Sequence, residues 1–212
     1  SISKEIKIHT CYDQFLYHPK DISFQLDALP EVFTIFRKSC EKNSFVRKVS
    51  PEIKALPKTN LLDEEFTIPK LKDFGFSEFY HVPFSAFPFK GGSKSGRSRL
   101  KNYLWDTKKI STYKETRNGL VGKDYSSKFS PWLANGSLSA REIYWQIKDF
   151  ESKVKKNQST YWMIFELIWR DYFKYVSLKH GNNIFRLDGI LKKRYSWKSD
   201  PKILMSWING ET

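Results

Sequence analysis

The chain has 212 residues, 40% of them hydrophobic, and a formal net charge of +14. This length allows one large domain with a sizeable core, or one domain followed by part of another. No run of about 18 apolar residues is present and the first residues hold no apolar signal segment, so we expect a soluble cytoplasmic protein without membrane contact.

The positive charge belongs to the second part of the chain. Residues 1–90 contain 13 Lys and Arg against 12 Asp and Glu, whereas residues 91–212 contain 24 against 11. A surplus of this size, together with many Trp and Tyr residues, favours a polyanionic partner, because each cation near a phosphate releases condensed counterions. A solvated basic surface is the alternative interpretation.

Neither a metal site nor a disulfide scaffold is predicted. Cys11 and Cys40 lie far apart in the sequence, without a CxxC pattern or a neighbouring histidine. The four histidines have no ligand spacing, and no Ser, His and Asp set indicates a catalytic triad. We therefore expect no metal ion and a reducing compartment.

The first 90 residues predict an extended connector with one helix. Residues 9–28 mix aromatic and turn residues without a sustained period, which indicates strand and loop. A helix is predicted from Pro30, which suits a first helical turn, with an apolar stripe formed by Phe33, Phe36 and Cys40. The segment after it contains three prolines that favour extended chain, Pro51, Pro57 and Pro69.

The sequence changes character after Lys90. "KGGSKSGRSR" predicts a flexible basic loop that nearly matches the phosphate loop G-x-x-x-x-G-K-[ST], but Arg97 stands where the lysine belongs. No hydrophobic strand precedes it, so we do not predict a phosphate loop. A helical stripe follows, formed by Leu100, Tyr103, Leu104 and Thr107.

Two helix starts follow a polar turn region. In "YSSKFSPW", Ser130 is predicted to cap a helix whose first position is Pro131. Such an end, surrounded by serine hydroxyls and free N–H groups, attracts phosphate, although ordinary capping also explains it. Ser139 and Glu142 then form a capping box before an amphipathic helix whose stripe is Ile143, Ile147, Phe150 and Val154.

The most informative segment is "FELIWRDYFKYV", residues 165–176. Apolar and aromatic residues point in nearly every direction around it, which predicts a buried helix. Glu166 and Arg170 nevertheless share one face, flanked by Trp162, Trp169 and Phe173. Two interpretations stay open: this face meets a ligand, or the two charges form a buried salt bridge with Trp169 in the core.

Residues 113–144 and 159–185, in this order and at this separation, resemble the photolyases and cryptochromes, and within them the cryptochrome DASH branch. The earlier stretches "LYHPKDISF", "LPEVFTIFRK" and "AFPFKGG" look like the segment that joins the antenna domain of that family to its helical flavin domain. The resemblance implies a mainly α fold, with residues 1–90 as the end of the antenna domain and the interdomain connector. Residues 91–212 would form the N-terminal half of a helical domain that binds FAD and DNA. The family continues beyond "WINGET", so we expect a fragment.

The resemblance also implies roles for particular residues. The cofactor FAD would be held by Tyr113, Ser126, Ser127, Lys128, Phe129, Ser130, Trp162 and Arg170. Glu166 would hydrogen-bond the damaged base pair, Trp169 would stack on the flipped pyrimidine dimer, and Arg117 would hold a DNA phosphate. In its full length the protein would also carry an antenna folate, methenyltetrahydrofolate.

The implied function is blue-light-driven repair of cyclobutane pyrimidine dimers in UV-damaged, single-stranded DNA by a monomeric photolyase, for which this segment alone would be inactive. Two other functions fit the residues. A light-signalling receptor would use the same cofactor pocket without repair. A basic helical module that binds nucleic acid without any cofactor would account for the charge of residues 91–212.

Overall fold

The computed structural model describes residues 7–60, 67–77 and 84–212. Within these ranges the chain forms seven α-helices: α1 (Phe33–Asn43), α2 (Ser93–Lys101), α3 (Tyr113–Thr116), α4 (Ser130–Ala134), α5 (Ala140–Lys153), α6 (Gln158–His180) and α7 (Pro201–Asn209). A π-helical turn continues α2 (Asn102–Asp106), and short 3₁₀ turns occupy Lys58–Asn60, Leu71–Phe74, Lys109–Thr112 and Gly181–Phe185. The described residues contain no strand, which confirms the mainly α class. Residues 1–6, 61–66 and 78–83 of the predicted connector lie outside the described residues.

The strand predicted within residues 9–28 is wrong. These residues form turns and irregular chain, and Phe15, Leu16 and Tyr17 are buried. In a strand, the backbone N–H groups of this segment would donate to a neighbouring strand. Here two of them donate to the buried side chain of Asp171. The Leu16 N–H donates to Oδ1 of Asp171 (3.0 Å) and the Tyr17 N–H to Oδ2 (2.8 Å), so α6 orders this segment without a partner strand.

The helix predicted from Pro30 begins at Phe33, after an extended Val32 with φ −103° and ψ 121°. The carbonyls just before it are engaged by α6: Tyr172 Oη donates to the Glu31 carbonyl (2.5 Å) and Lys179 Nζ to the Leu29 carbonyl (3.2 Å). These bonds hold the chain before Phe33 in a non-helical path. The stripe of Phe33, Phe36 and Cys40 is buried as predicted.

The flexible basic loop predicted after Lys90 is also wrong, because Ser93–Lys101 is helix α2. Gly96 lies inside this helix, where an added Cβ would meet Leu138 Cγ at 2.9 Å and Trp132 Cγ at 3.1 Å. Glycine is therefore needed for close packing rather than for a phosphate-binding turn. Arg97 pairs with Glu142 (3.0 Å) across to α5.

The capping predictions are partly confirmed. Ser130 is already the first residue of α4, and the N-cap position is taken by Phe129, whose side chain makes no capping hydrogen bond. Ser139 caps α5 by accepting from the Arg141 N–H (3.2 Å), but the carboxylate of Glu142 is taken by Arg97, so the reciprocal half of the box does not form. In the predicted stripe of α5, Ile143, Ile147 and Phe150 are buried, whereas Val154 follows the helix end and is 43% exposed.

Helix α6 is the centre of the molecule, and α1, α3 and α5 all pack against it. The prediction of a helix over residues 165–176 is confirmed. Its inward positions are buried with the connector residues in the same hydrophobic core: Met163, Ile164, Leu167, Ile168, Tyr172 and Tyr175. Residues on both sides of position 90 contribute to this core. The domain boundary expected at position 90 therefore stays a prediction. None of the helices in the described residues has the length and apolar character needed to cross a membrane.

Candidate functional site

A cavity of about 550 Å³ lies beside α6, within the size range of small-molecule sites. It is bounded by α3, the loop leading into α4, α4 itself and one face of α6. The lining residues are Tyr113, Ser127, Phe129, Ser130, Leu133, Met163, Glu166, Leu167, Arg170, Phe173, Lys174 and Ser177. The wall is thus mostly apolar, with hydroxyls at one end and charges along the helix.

The two cations of the cavity, Arg170 and Lys174, are partly desolvated. Burial lowers the pKa of Arg170, while burial and the nearby Arg170 charge lower the pKa of Lys174. Arg170 donates to the carbonyls of Gln14 (2.6 Å) and Leu133 (3.0 Å), and Lys174 donates to Oε1 of Gln14 (2.5 Å). Among the described residues neither cation is in direct ion-pair contact with a carboxylate, although the nearby Asp171 charge raises the pKa of both and so offsets part of the cost of burial. An anion in the cavity would offset more of that cost.

Glu166 is bound to Arg117 at the end of α3, with 2.6 Å between Oε1 and Nη1. The alternative of a Glu166–Arg170 salt bridge is therefore wrong. Both side chains of the observed pair are about a third exposed. Next to them, burial and the Glu166 charge raise the pKa of Tyr113 to about 12, which keeps its hydroxyl protonated and able to donate.

The loop before α4 has an unusual backbone. Lys128 has a φ of 61°, a left-handed conformation that is uncommon outside glycine, and Phe129 returns to φ −76° and ψ −15°. Neighbouring residues of opposite hand form concavities lined by backbone N–H groups that bind anions. Lys128 also donates to the Tyr125 hydroxyl.

Curated proteins that are similar to this chain are named Cryptochrome DASH. The chain is 46% identical over 211 residues to Cryptochrome DASH of Danio rerio and 45% identical to that of Xenopus laevis, in each case over 98% of this chain. This chain is homologous to the cryptochrome DASH proteins. No protein-family model matches it. It spans about two fifths of the length of the curated relatives it matches.

Solved structures support the same conclusion. A crystal structure of a Synechocystis cryptochrome matches with a TM-score of 0.83 and 41% identity, covering 94% of this chain and 41% of that one. A bacterial class III photolyase from Agrobacterium tumefaciens matches with a TM-score of 0.69 and 20% identity, over 93% of this chain and 40% of that one, which shows the fold alone.

The structure brings some of the residues implied by the cryptochrome DASH resemblance together in the cavity: Tyr113, Ser127, Phe129, Ser130, Glu166 and Arg170. Three further residues adjoin the cavity without lining it. Ser126 and Lys128 are next in sequence to the lining residue Ser127, and Arg117 is paired with the lining residue Glu166. The remaining two, both tryptophans, lie off the cavity wall.

Trp169 packs within an aromatic stack. Its ring lies on Phe33 of α1, with centroids 3.4 Å apart and planes at 11°, and Phe173 lies on its other side at 5.5 Å and 22°. Phe173 is 62% exposed and lines the cavity, so it is the outer ring of the stack. Trp162 stacks on Phe165 at 4.8 Å, and its Nε1 is buried without a hydrogen-bond partner in the described residues.

Sequence reasoning missed several residues of the cavity wall: Leu133, Met163, Leu167, Lys174 and Ser177, with Phe173 noted only as a flanking residue. For the residues on α6, helical spacing could have predicted them, because positions three, four and seven residues from Glu166 or Arg170 lie on the same face of the helix. Lys174 is the most informative of these, because it places a second cation one turn beyond Arg170.

Proposed function

We propose that this chain carries the first half of the FAD-binding domain of a blue-light-dependent cryptochrome DASH photolyase, which repairs cyclobutane pyrimidine dimers in single-stranded DNA. The observation that carries the proposal is one cavity in which Ser127 and Ser130 share walls with Glu166 and Arg170 of α6. The homology to cryptochrome DASH proteins supports the cofactor, and the residues of the cavity fit it.

The donor set suits a flavin dinucleotide. Hydroxyls of Ser127 and Ser130, the N–H groups around Lys128 and the positive charge of the partly buried Arg170 suit a diphosphate. The apolar wall suits an aromatic ring system. In this proposal FAD is held by the loop residues Ser126 to Ser130 and by Tyr113 and Arg170. Trp162 is proposed as a further cofactor residue from the resemblance alone, since it lies off the cavity wall. The chemistry that bound, reduced FAD would supply here is light-driven electron donation to the dimer.

The protein side of repair is proposed for Glu166, for the aromatic stack around Trp169 and for Arg117. Glu166 offers a carboxylate at the cavity wall, oriented by Arg117 at 2.6 Å, for hydrogen bonds to a flipped base. The stack of Phe33, Trp169 and Phe173 offers an aromatic face in place of the lost base neighbours, with Phe173 as its exposed end. Arg117, which pairs with Glu166, is proposed to hold a DNA phosphate.

The remaining parts of the proposal concern the whole protein. Residues 91–212 are proposed as the N-terminal half of the FAD-binding domain and residues 1–90 as the connector and the end of the antenna domain. We propose that the protein acts as a monomer in the cytoplasm and binds methenyltetrahydrofolate as antenna. The cations of residues 91–212 would provide salt-dependent attraction to DNA.

The test uses the longest natural chain that contains these residues. It should purify with bound FAD and, under blue light, convert a single-stranded oligonucleotide carrying one thymine dimer into undamaged strand, while a dark control stays unchanged. Glu166→Gln should slow repair without loss of flavin. A protein that binds FAD but leaves the dimer intact would refute repair, and a protein that binds DNA but no flavin would refute the cofactor.

A further inference from the structure

Arg99 of α2 is the most completely enclosed cation in the described residues, with 3% of its surface exposed. It does not line the cavity, and no role follows for it from the proposed function. Its guanidinium lies between two aromatic rings, with Cζ 4.7 Å from the centre of Phe89 and 5.0 Å from the centre of Tyr103.

All three nitrogens of Arg99 are engaged, mostly by one loop. Nε donates to the Ser127 carbonyl (3.1 Å), and Nη2 donates to the carbonyls of Lys123 (3.0 Å) and Ser126 (3.1 Å). Nη1 donates to Oδ1 of Asp124 (2.8 Å) and to Oδ1 of Asn102 (3.2 Å). A single side chain thus gathers the backbone of the loop that leads into the cavity.

The direction of these bonds has a consequence for the opposite side of the loop. In a trans peptide the C=O and the following N–H point in opposite directions, and the described residues contain no cis peptide. Because the carbonyls of Ser126 and Ser127 point at Arg99, the N–H groups of Ser127 and Lys128 point away from it. Arg99 therefore orients the positive ends of these peptide dipoles away from itself, in the loop where Ser127 meets the cavity.

The loop needs an external anchor. It contains no helix between α3 and α4, and Lys128 takes the left-handed φ of 61°, which a side chain disfavours. Lysine in place of Arg99 would keep the charge but lose the planar fork that reaches several carbonyls at once. The geometry therefore depends on arginine in particular.

We propose that Arg99 is a positioning residue for the cofactor: it holds residues 123–127 in the one backbone shape that presents N–H groups and serine hydroxyls to the diphosphate of FAD. It does not contact FAD, because its donors are used within the protein. This inference rests on the proposed flavin site.

The test compares Arg99→Lys with Arg97→Lys in the longest natural chain. Arg97 is the matched control, two residues away on the same helix, with an exposed side chain paired to Glu142. Hydrogen exchange would be measured at the amides of residues 123–128 and of α6, together with the Kd for FAD, ADP and riboflavin. Riboflavin lacks phosphate, so it separates diphosphate binding from ring binding.

For Arg99→Lys we expect about tenfold faster exchange in the loop, unchanged exchange in α6, and about tenfold weaker binding of FAD and ADP with little change for riboflavin. Arg97→Lys should change none of these. The inference would be overturned if Arg99→Lys bound FAD and ADP as tightly as the parent does, or if its loop amides exchanged at the parent rate. It would also be overturned if riboflavin binding weakened as much as FAD binding.

A milder variant covers the case in which Arg99→Lys does not fold. Asp124→Asn keeps an acceptor for Nη1 and removes the charge, and it should produce the same pattern at about two- to fivefold. Unchanged loop exchange and ADP affinity in Asp124→Asn would then overturn the inference. If the parent chain binds no FAD but Arg99→Lys still frees the loop, the flavin site fails while the role of Arg99 in shaping the loop stands.

Discussion

Replacing Trp169 by alanine should destabilise the fold, because the indole is packed rather than free. It lies on Phe33 with centroids 3.4 Å apart and faces Phe173 at 5.5 Å. Two such aromatic pairs contribute about 1 to 3 kcal/mol beyond their buried area. Since the side chain is only partly buried, the full cost of about 3 to 5 kcal/mol for a core Trp→Ala change is an upper limit. We expect a loss of about 2 to 4 kcal/mol in the free energy of unfolding.

Urea denaturation followed by far-UV circular dichroism measures this loss without relying on the indole fluorescence that the substitution removes. Trp169→Phe keeps a ring in the stack and should cost about 1 kcal/mol or less. Trp197→Ala is the control, because Trp197 is 66% exposed and its removal should change stability by less than about 0.5 kcal/mol. A Trp169→Ala variant as stable as its parent would mean that the indole is a free platform and that the stack on Phe33 does not exist in solution.

Three further predictions follow from particular contacts. Gly96→Ala should cost about 1 to 3 kcal/mol of stability, because its Cβ would come within 2.9 Å of a leucine side chain, whereas Gly91→Ala has open space and should be neutral; equal melting temperatures would refute the close packing. Glu166→Gln should cost less than about 1 kcal/mol because its ion pair with Arg117 is partly exposed, and a loss of about 3 to 5 kcal/mol would indicate a buried pair. Burial raises the pKa of Asp171 from 3.8 to about 7, so the folded state holds this proton more tightly than the unfolded state. The free energy of unfolding of the parent, measured relative to that of Asp171→Asn, should therefore fall as the pH rises from about 4 to 7. Parallel stability curves for the two proteins would contradict this.

The long helix of the site was readable from the sequence because its signal is local. Apolar residues on nearly every side of residues 165–176 predict a buried helix, and the structure places α6 at the centre of the core. The sharing of one face by Glu166 and Arg170 follows from helical spacing alone, and both line the cavity. The loop of Ser126 to Ser130 was found because hydroxyls cluster before Pro131.

The partners of these residues were not readable, since they depend on contacts distant in sequence. Glu166 pairs with Arg117, 49 residues earlier, rather than with Arg170. Trp169 stacks on Phe33 of α1, and the sequence around either residue does not predict where α1 packs on α6. The sequence of α2 predicts a loop because Gly and Ser have low helix propensity. Tertiary contacts override that propensity: Gly96 packs closely against Trp132 of α4, and Arg99 bonds the loop that precedes α4.

The most direct test is a crystal structure of the longest natural chain grown with FAD. The diphosphate should lie within hydrogen-bonding distance of Ser127 and Ser130, beside Arg170, with the N–H groups of Ser127 and Lys128 directed toward it. FAD bound away from the cavity beside α6, or a cavity that stays empty at saturating FAD, would contradict the assignment of this site.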